Sequence, residues 1–304
     1  MEGEGNTVFD SKHARDDVEA AQRGVAMLID VPGGRIVIGS EDFYPEERPC
    51  IEVEVADFQL QQHPVTVAEF AAFVEATGYI TTAETMPKPE DLPGIDLRDF
   101  QPGSMVAVFP DHPVDVQDWR QWWQFVPGAH WRCPQGPGST AIADHPVVHI
   151  SHDDAQAYAR WAGLRLPTEY EWEYAARAGR PPTAYAWGEE FDPRLANTFE
   201  GAFPHAPTRE PGTTAVGSYP ANPWGFVDLI GNVWEWTAQR WTDHHATAQS
   251  CCGQSLRSGR EEQWVVKGGS HMCSADYCER YRPAARQGMS ADSSATHVGF
   301  RCAL

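Results

Sequence analysis

The segment RLPTEYEWEYAARAG, residues 165–179, carries the clearest structural signal in this sequence of 304 residues. Thr168 and Glu171 stand three positions apart, the spacing of a capping box, in which each side chain hydrogen-bonds the backbone amide of the other residue. Such a cap stabilises a helix by about 1 kcal/mol. The pattern predicts a helix that opens after Thr168 and stops at Gly179, and by itself it indicates no function.

Two further segments have the same helix-opening pattern. In HPVTVAEFAAFVEATGY, residues 63–79, Thr66 and Glu69 form a second capping box, and a glycine closes the apolar stripe. Ser151, with an aspartate three residues later, opens a third helix that ends at Gly163. The sequence therefore predicts three helices separated by long segments without helical periodicity.

Short strands and turns are predicted for much of the remaining chain. Residues 27–39, MLIDVPGGRIVIG, read as a hairpin of two short strands. The 26 Gly and 24 Pro residues indicate many loops. We therefore predict an α+β fold with short strands, few helices and little regular secondary structure. No linker divides the chain, so we expect one domain over residues 26–304, preceded by a mobile tail over residues 1–25.

The charge balance restricts the classes of partner. The formal net charge is −20, from 43 acidic and 23 basic residues, and such a surface repels phosphate backbones. The first 25 residues contain no apolar stretch long enough for export or membrane insertion. We therefore expect a cytoplasmic protein with no nucleic-acid or membrane partner. Its seven scattered cysteines do not form a disulfide framework, and a reducing cytosol would leave most of them as thiols.

Cys273 and Cys278 form the most informative cysteine pair. They stand five positions apart, so their sulfurs meet only if the chain bends between them. The intervening residues, Ser274 to Asp276, are small and turn-forming, which makes such a bend compatible with the sequence. A disulfide, two unrelated core thiols and a two-sulfur metal site all remain open. Of the metals, Cu(I) suits two thiolates on a tight turn because it accepts low coordination by sulfur.

A second group of metal-ligand types lies upstream. Asp243, His244 and His245 precede Cys251 and Cys252, which suggests a zinc site. Adjacent cysteines do not readily point at one tetrahedral metal, so this interpretation is the weaker one.

The segment GNVWEW, residues 231–236, combines a turn with a carboxylate and two large aromatic side chains. Asp228 and Glu235, together with backbone carbonyls of the turn, could supply the hard oxygen ligands that Ca²⁺ prefers. Ordinary core packing, with Glu235 in a salt bridge, is the alternative, and the residues alone leave both open.

Taken together, these segments resemble the formylglycine-generating enzyme family, also called sulfatase-modifying factors, from about Val31 to Cys302. The matching motifs are specific in combination and order: PGGRIVIGSEDFYPEERP, HPVTVAEFAAFVEATGY, RLPTEYEWEYAARAG, GNVWEWT, VVKGGSHMCSADYC and GFRC. The resemblance implies a single-domain fold related to C-type lectin-like domains. GNVWEW, GGS and GFR also occur in relatives without the activity, whereas the cysteine pair marks the active enzymes.

The resemblance implies a copper-dependent oxidase that uses O₂. In the family, the cysteines that match Cys273 and Cys278 bind Cu(I), and Ser270, Trp234 and Tyr277 match residues that line the pocket for oxygen and the substrate thiol. The implied substrate is a cysteine within a C-x-P-x-R motif of an unfolded sulfatase. Oxidation at its Cβ gives a thioaldehyde, and hydrolysis yields formylglycine and sulfide.

Two alternative functions stay open, and the resemblance also implies two structural calcium sites. The alternatives are a non-catalytic member of the fold that binds a peptide or glycan, and a related oxidase acting on another thiol. We expect a monomer. The resemblance places one calcium site at Asp228, Gly231, Val233 and Glu235. It places a second at Asn197 and the Thr198 carbonyl, although the loop HAPTREPGTT, residues 205–214, is shortened and lacks the family's Asp-Gly.

Overall fold

The computed structural model describes residues 26–89, 98, 100–245 and 262–304. Three α-helices lie within these residues: α1, Val67–Thr77; α2, His152–Ala162; and α3, Glu169–Arg177. Twelve short strands accompany them: β1, Leu28–Val31; β2, Gly34–Ile38; β3, Ile51–Val55; β4, Phe58–Gln61; β5, Gly103–Ala107; β6, Trp123–Pro127; β7, Gly201–Ala202; β8, Ala206–Pro207; β9, Trp234–Arg240; β10, Gln263–Lys267; β11, Arg286–Ser290; and β12, Val298–Phe300. The predicted α+β class with few helices and short strands is confirmed. Residues 1–25, predicted to be a mobile tail, lie outside the described residues.

All three predicted capping boxes are present. In α1, for example, the Glu69 carboxylate accepts a 2.7 Å hydrogen bond from the Thr66 amide, and the Thr66 hydroxyl accepts one from the Glu69 amide. The end of α3 differs from the prediction by one residue. Ala178 takes the left-handed conformation (φ 48°) before Gly179 is reached, and its amide closes the helix on the carbonyls of the last turn.

The predicted hairpin over residues 27–39 is wrong. Both strands exist, but β1 pairs with β4 and β2 pairs with β3, each antiparallel. The connection between them contains Pro32, whose ring fixes φ near −65°. A two-residue hairpin turn needs positive φ at its first central residue, which Pro32 cannot adopt. The two strands therefore do not pair with each other and belong to separate sheets.

A four-stranded sheet positions the remaining features, with the strand order β11-β10-β9-β12. Strands β9 and β10 are antiparallel and β9 and β12 are parallel, so the start of β9, the end of β10 and the start of β12 meet at one edge. The GNVWEW turn, the cysteine-containing loop after Lys267 and the residues before Val298 therefore lie together. The buried apolar core draws on residues from Val31 to Ala303. Among the described residues, no helix has the length and apolar character to cross a membrane.

Candidate active site

The Cys273–Cys278 segment forms a tight turn, as the spacing predicted. The Cys273 amide donates to the Ser270 carbonyl at 2.9 Å, and the Cys278 amide donates to the Ser274 carbonyl at 3.0 Å. The turn brings the thiols of Cys273 and Cys278 into a hydrogen bond with each other. Both are free thiols, with Cys273 buried and Cys278 partly accessible. The two sulfurs thus face one another without a covalent bond.

The hydrogen bond between these thiols gives them different pKa values. Donation from Cys273 lowers the pKa of Cys278 to about 7, with smaller contributions from backbone amides and from Arg280, although burial acts in the opposite direction. The same hydrogen bond, together with burial, raises the pKa of Cys273. At neutral pH the shared proton therefore lies on Cys273, and Cys278 carries much of the thiolate character. A thiolate is the form that acts as metal ligand and nucleophile.

The loop that contains Tyr44 and Glu46, far from Cys278 in the sequence, contacts the cysteine turn. The Tyr44 hydroxyl donates to the Cys278 carbonyl at 2.9 Å across a separation of 234 residues. The Arg280 guanidinium lies 3.8 Å from the centre of the Tyr44 ring and pairs with Glu46 at 2.6 Å. Sequence reasoning did not find these three residues. For Arg280 a signal existed, an arginine two positions after the second cysteine, whereas Tyr44 and Glu46 are brought to the site only by folding.

Buried ion pairs anchor both ends of the loop that carries the cysteines. Before it, Lys267 Nζ contacts Glu173 at 2.9 Å and donates to the Ala284 carbonyl at 3.3 Å, which joins the entry and exit of the loop. After the turn, Arg282 forms a fork-shaped pair with Glu47, with distances of 2.7 and 2.6 Å. Such charge-assisted bidentate pairs fix geometry as well as supply energy.

A groove of about 710 Å³ lies beside the cysteine turn, and Tyr277 is part of its wall. Tyr277 is 40% exposed, stacks on Phe203 with 4.4 Å between ring centroids and meets Trp122 edge-on at 5.6 Å. The other side chains that shape the groove are mostly aromatic or apolar: Phe100, Met105, Trp119, Trp123 and Phe125. The groove is therefore a partly apolar cleft that the cysteine turn reaches through Tyr277, and neither cysteine is among its lining residues.

Ser270 and Trp234 lie behind this surface. Both are buried, and the Ser270 hydroxyl accepts a 3.2 Å hydrogen bond from the Met272 amide. Trp234 follows Asn232 by two positions, and the Asn232 carbonyl accepts a 3.0 Å hydrogen bond from the His271 amide of the cysteine-containing loop. Neither Ser270 nor Trp234 lines the groove. The structure thus brings Ser270, Trp234, Tyr277 and the two cysteines to one region, and the pocket roles implied by the resemblance stay predictions.

His297 is a groove residue that sequence reasoning missed. Its ring packs 4.8 Å from the Trp123 ring, and its buried Nδ1 has no hydrogen-bond partner among the described residues. Burial lowers the pKa of His297 to about 3, so the ring is neutral at physiological pH. A position five residues before the final cysteine gave no signal in the sequence, because only the packing of β12 against β9 brings it here.

The first implied calcium site has a mixed donor set. Asp228 is buried, its carboxylate accepts a 2.6 Å hydrogen bond from the Gly217 amide, and burial raises its pKa. Glu235 already accepts three hydrogen bonds, two from Arg301 at 2.7 and 2.8 Å and one from Trp172 at 2.8 Å. A carboxylate has about four acceptor positions, so Glu235 keeps one for a cation. Glu235 thus forms the buried salt bridge that the sequence offered as the alternative, and a calcium ion at Asp228, Gly231, Val233 and Glu235 stays a prediction.

The second implied calcium site does not fit a metal ion. The guanidinium of Arg209 contacts both of its donors, the Asn197 side-chain oxygen at 2.7 Å and the Thr198 carbonyl at 2.9 Å. A positive side chain therefore stands where the resemblance implies a positive ion.

The weaker zinc interpretation gains no support from His245. Its ring nitrogens are engaged with the Pro49 carbonyl at 3.1 Å and with Glu169 at 3.3 Å. Cys251 and Cys252 lie outside the described residues. Within the part of the chain that is described, three or more His, Cys, Asp or Glu side chains do not come together as a metal-binding cluster.

A family profile described as "Sulfatase-modifying factor enzyme 1-like domain" matches residues 14–304. The chain belongs to this family. It is 50% identical over 290 residues to the formylglycine-generating enzyme of Mycobacterium tuberculosis, a match that covers 90% of this chain and 96% of that protein. The resemblance inferred from the motifs is thereby confirmed.

The family also contains members that differ in activity. The chain is 38% identical over 287 residues to a Mus musculus protein named inactive Cα-formylglycine-generating enzyme 2, covering 91% of this chain and 85% of that protein. Among solved structures, PvdO from Pseudomonas aeruginosa superimposes with a TM-score of 0.62 at 23% identity, covering 92% of this chain and 94% of that one. The latter similarity confirms the fold.

Proposed function

We propose that this sulfatase-modifying-factor protein is a formylglycine-generating oxidase, which converts a cysteine in a C-x-P-x-R motif of a sulfatase to formylglycine with O₂ as oxidant. The observation that carries the proposal is the pair of facing, unbonded thiols of Cys273 and Cys278, on a turn whose Tyr277 lines a groove. The 50% identity to a formylglycine-generating enzyme supports the same reaction.

The thiol pair suits a copper cofactor. Two soft sulfur donors on one tight turn match the preference of Cu(I), and Cys278 is already acidic enough to bind as thiolate. When bound, Cu(I) supplies the redox chemistry with O₂. The protein's own contribution is to hold the sulfurs, to take up or release the Cys273 proton, and to keep Cys273 and Ser270 away from bulk water.

The groove suits the substrate motif. Its aromatic walls, including Trp119, Trp123 and Phe125, match a proline ring by apolar contact, and Asp292 adds a carboxylate for an arginine. The protein's excess of 43 acidic over 23 basic residues favours a positively charged peptide in the same way. The His297 ring is also part of the groove wall.

We also propose one structural calcium ion at Asp228. A bound cation would offset the cost of burying this carboxylate, which is the largest cause of its raised pKa. A monomeric state and a cytoplasmic location stay predictions.

The decisive experiment is aerobic incubation of the copper-loaded protein with a C-x-P-x-R peptide, followed by mass spectrometry and hydrazide capture of the aldehyde. Cys273→Ser and Cys278→Ser should lose turnover and tight Cu(I) binding. Cys50→Ser is the matched control, because Cys50 is an exposed thiol outside the turn.

Absence of aldehyde with copper-replete wild type would exclude the proposed reaction. Peptide binding without product or Cu(I) affinity would favour the non-catalytic alternative. Turnover that survives replacement of the motif's proline and arginine by alanine would instead indicate an oxidase acting on another thiol.

A further inference from the structure

We propose that the guanidinium of Arg209 takes the place of the calcium ion implied at Asn197 and Thr198, and that it holds the wall of the active site in position. This positioning role of Arg209 does not depend on the oxidase activity. Three oxygen atoms from one short stretch of chain converge on this side chain.

The contacts of Arg209 satisfy both its charge and its geometry. One terminal nitrogen donates to the Asn197 side-chain oxygen at 2.7 Å and to the Thr198 carbonyl at 2.9 Å. The Nε atom pairs with the Glu200 carboxylate at 3.0 Å. The Arg209 and Glu200 side chains are 32% and 37% exposed, so the group lies at the border of solvent and interior. A planar guanidinium with several fixed donors matches such a set of acceptors.

The orientation of Asn197 is fixed from its other end. Its Nδ2 lies within hydrogen-bonding reach of the Gly212 carbonyl at 2.9 Å, the Asn232 side-chain oxygen at 3.1 Å and the Thr214 hydroxyl at 3.3 Å. The amide oxygen therefore faces Arg209. This arrangement presents an oxygen to a cation while the nitrogen is committed to the shortened loop and to the GNVWEW turn.

Calcium and Arg209 cannot share these oxygens. Calcium takes six to eight oxygen ligands at roughly 2.3–2.6 Å. The guanidinium nitrogen already stands 2.7 and 2.9 Å from two of them. The loop that supplies Arg209, residues 205–214, is also the one that lacks the Asp-Gly of the family. The shortened loop and the positive side chain thus lie in the same ten residues, whereas the oxygen donors of Asn197, Thr198 and Glu200 are retained outside them.

The segment that follows the Arg209 contacts, residues 199–203, contacts the cysteine turn. The Phe199 amide donates to the Cys273 carbonyl at 2.9 Å. The Phe203 amide donates to the Asp276 carboxylate at 3.1 Å, and the Phe203 ring stacks on Tyr277. Fixing Asn197 and Thr198 therefore fixes the next residues of the chain, which contact the turn on both sides of its bend. Arg209 acts as a positioning residue for the site.

The test compares calcium uptake and melting temperature of wild type, Arg209→Ser and Arg209→Lys, measured by titration calorimetry and by melting with EGTA or with millimolar Ca²⁺. Wild type should bind no more than one calcium ion, the one proposed at Asp228. Arg209→Ser should melt about 2–4 °C lower in EGTA and bind one ion more than wild type. Added calcium should restore most of its loss, whereas Arg209→Lys should keep a cation and gain no calcium site.

Arg194→Ser is the matched control, because Arg194 forms an exposed ion pair with Asp192 at 2.7 Å and does not touch the site. It should leave calcium uptake and melting temperature unchanged. In Arg209→Ser, Cys273 and Cys278, each followed by peptide mass spectrometry to separate them from the other cysteines, should react several-fold faster with a disulfide reagent, and calcium should slow them again. Two calcium ions bound by wild type, or no calcium-dependent recovery of Arg209→Ser, would overturn the inference. Aldehyde formation is not measured, so failure of the oxidase proposal would be seen separately.

Discussion

Replacement of Glu47 by glutamine should destabilise the protein strongly, because it leaves the Arg282 charge buried without its partner. The pair is almost fully shielded, with side-chain exposures of 1% for Arg282 and 0% for Glu47, and two charge-assisted hydrogen bonds of 2.7 and 2.6 Å join them. Removing one partner of such a pair costs about 3–5 kcal/mol. At about 2–4 °C per kcal/mol, the melting temperature should fall by about 6–20 °C.

The measurement is urea unfolding of Glu47→Gln, Arg282→Met and the variant with Glu47→Leu and Arg282→Met together. The double variant should recover much of the loss, since two apolar side chains replace both charges and no unpaired ion remains. Asp192→Asn, which removes an exposed ion pair, is the control and should change stability little. A loss below about 1 kcal/mol for Glu47→Gln would refute the reasoning, because exposed pairs have that range.

Three further predictions concern pH and the backbone. Burial alone would raise the pKa of Glu173, but ion pairs with a buried lysine and arginine lower it from 4.5 to about 2. Its stabilising contribution is therefore complete above pH 4.5 and lost as the pH falls towards 2, so urea midpoints should fall in that window and less steeply in Glu173→Gln. Gly231→Ala should cost at least about 2 kcal/mol, because a Cβ would overlap the Asn197 carbonyl oxygen. Gly217→Ala has a similar positive φ in open space and should cost less; equal costs in urea unfolding would contradict this. In metal-free protein, the alkylation rate of Cys278 should reach half its maximum near pH 7, and loss of the partner thiol should move that midpoint upwards.

Local signals in the sequence predicted the helices well and the strand pairing poorly. Each capping box, such as Thr168 with Glu171, involves residues three positions apart, so the sequence contains nearly all the information that the helix start needs. The pairing of β1 with β4 and of β2 with β3 depends instead on packing between segments that are distant in the sequence. Alternation of apolar residues could locate β1 and β2, but it could not show that Pro32 sends them to different sheets.

In the candidate site too, local features were predictable from the sequence and long-range contacts were not. The bend between Cys273 and Cys278 followed from small residues within the turn, and the family motifs supplied the remaining implied roles. The contacts of Tyr44, the position of His297 and the guanidinium of Arg209 depend on segments that meet only in the folded chain. The sequence showed that the loop over residues 205–214 departs from the family pattern. Only the distances in the folded chain showed that the Arg209 guanidinium of this loop contacts the oxygens implied as calcium ligands.

The energetics of the loop argue against a purely structural role for the cysteine pair. A disulfide between Cys273 and Cys278 would close a loop of only about six residues, which constrains the unfolded chain by about 2 kcal/mol. The same loop is already anchored by the Lys267–Glu173 and Arg282–Glu47 pairs, all four side chains being buried. Loss of either anchor leaves an unpaired buried charge, at about 3–5 kcal/mol, so the anchors determine the loop geometry and the disulfide would add little. A pair retained for structure would also gain nothing from an acidic Cys278, whereas a sulfur site that binds Cu(I) requires thiolate. The anchors therefore hold the loop without a bond between the two sulfurs, as the proposed copper-binding role of the pair requires.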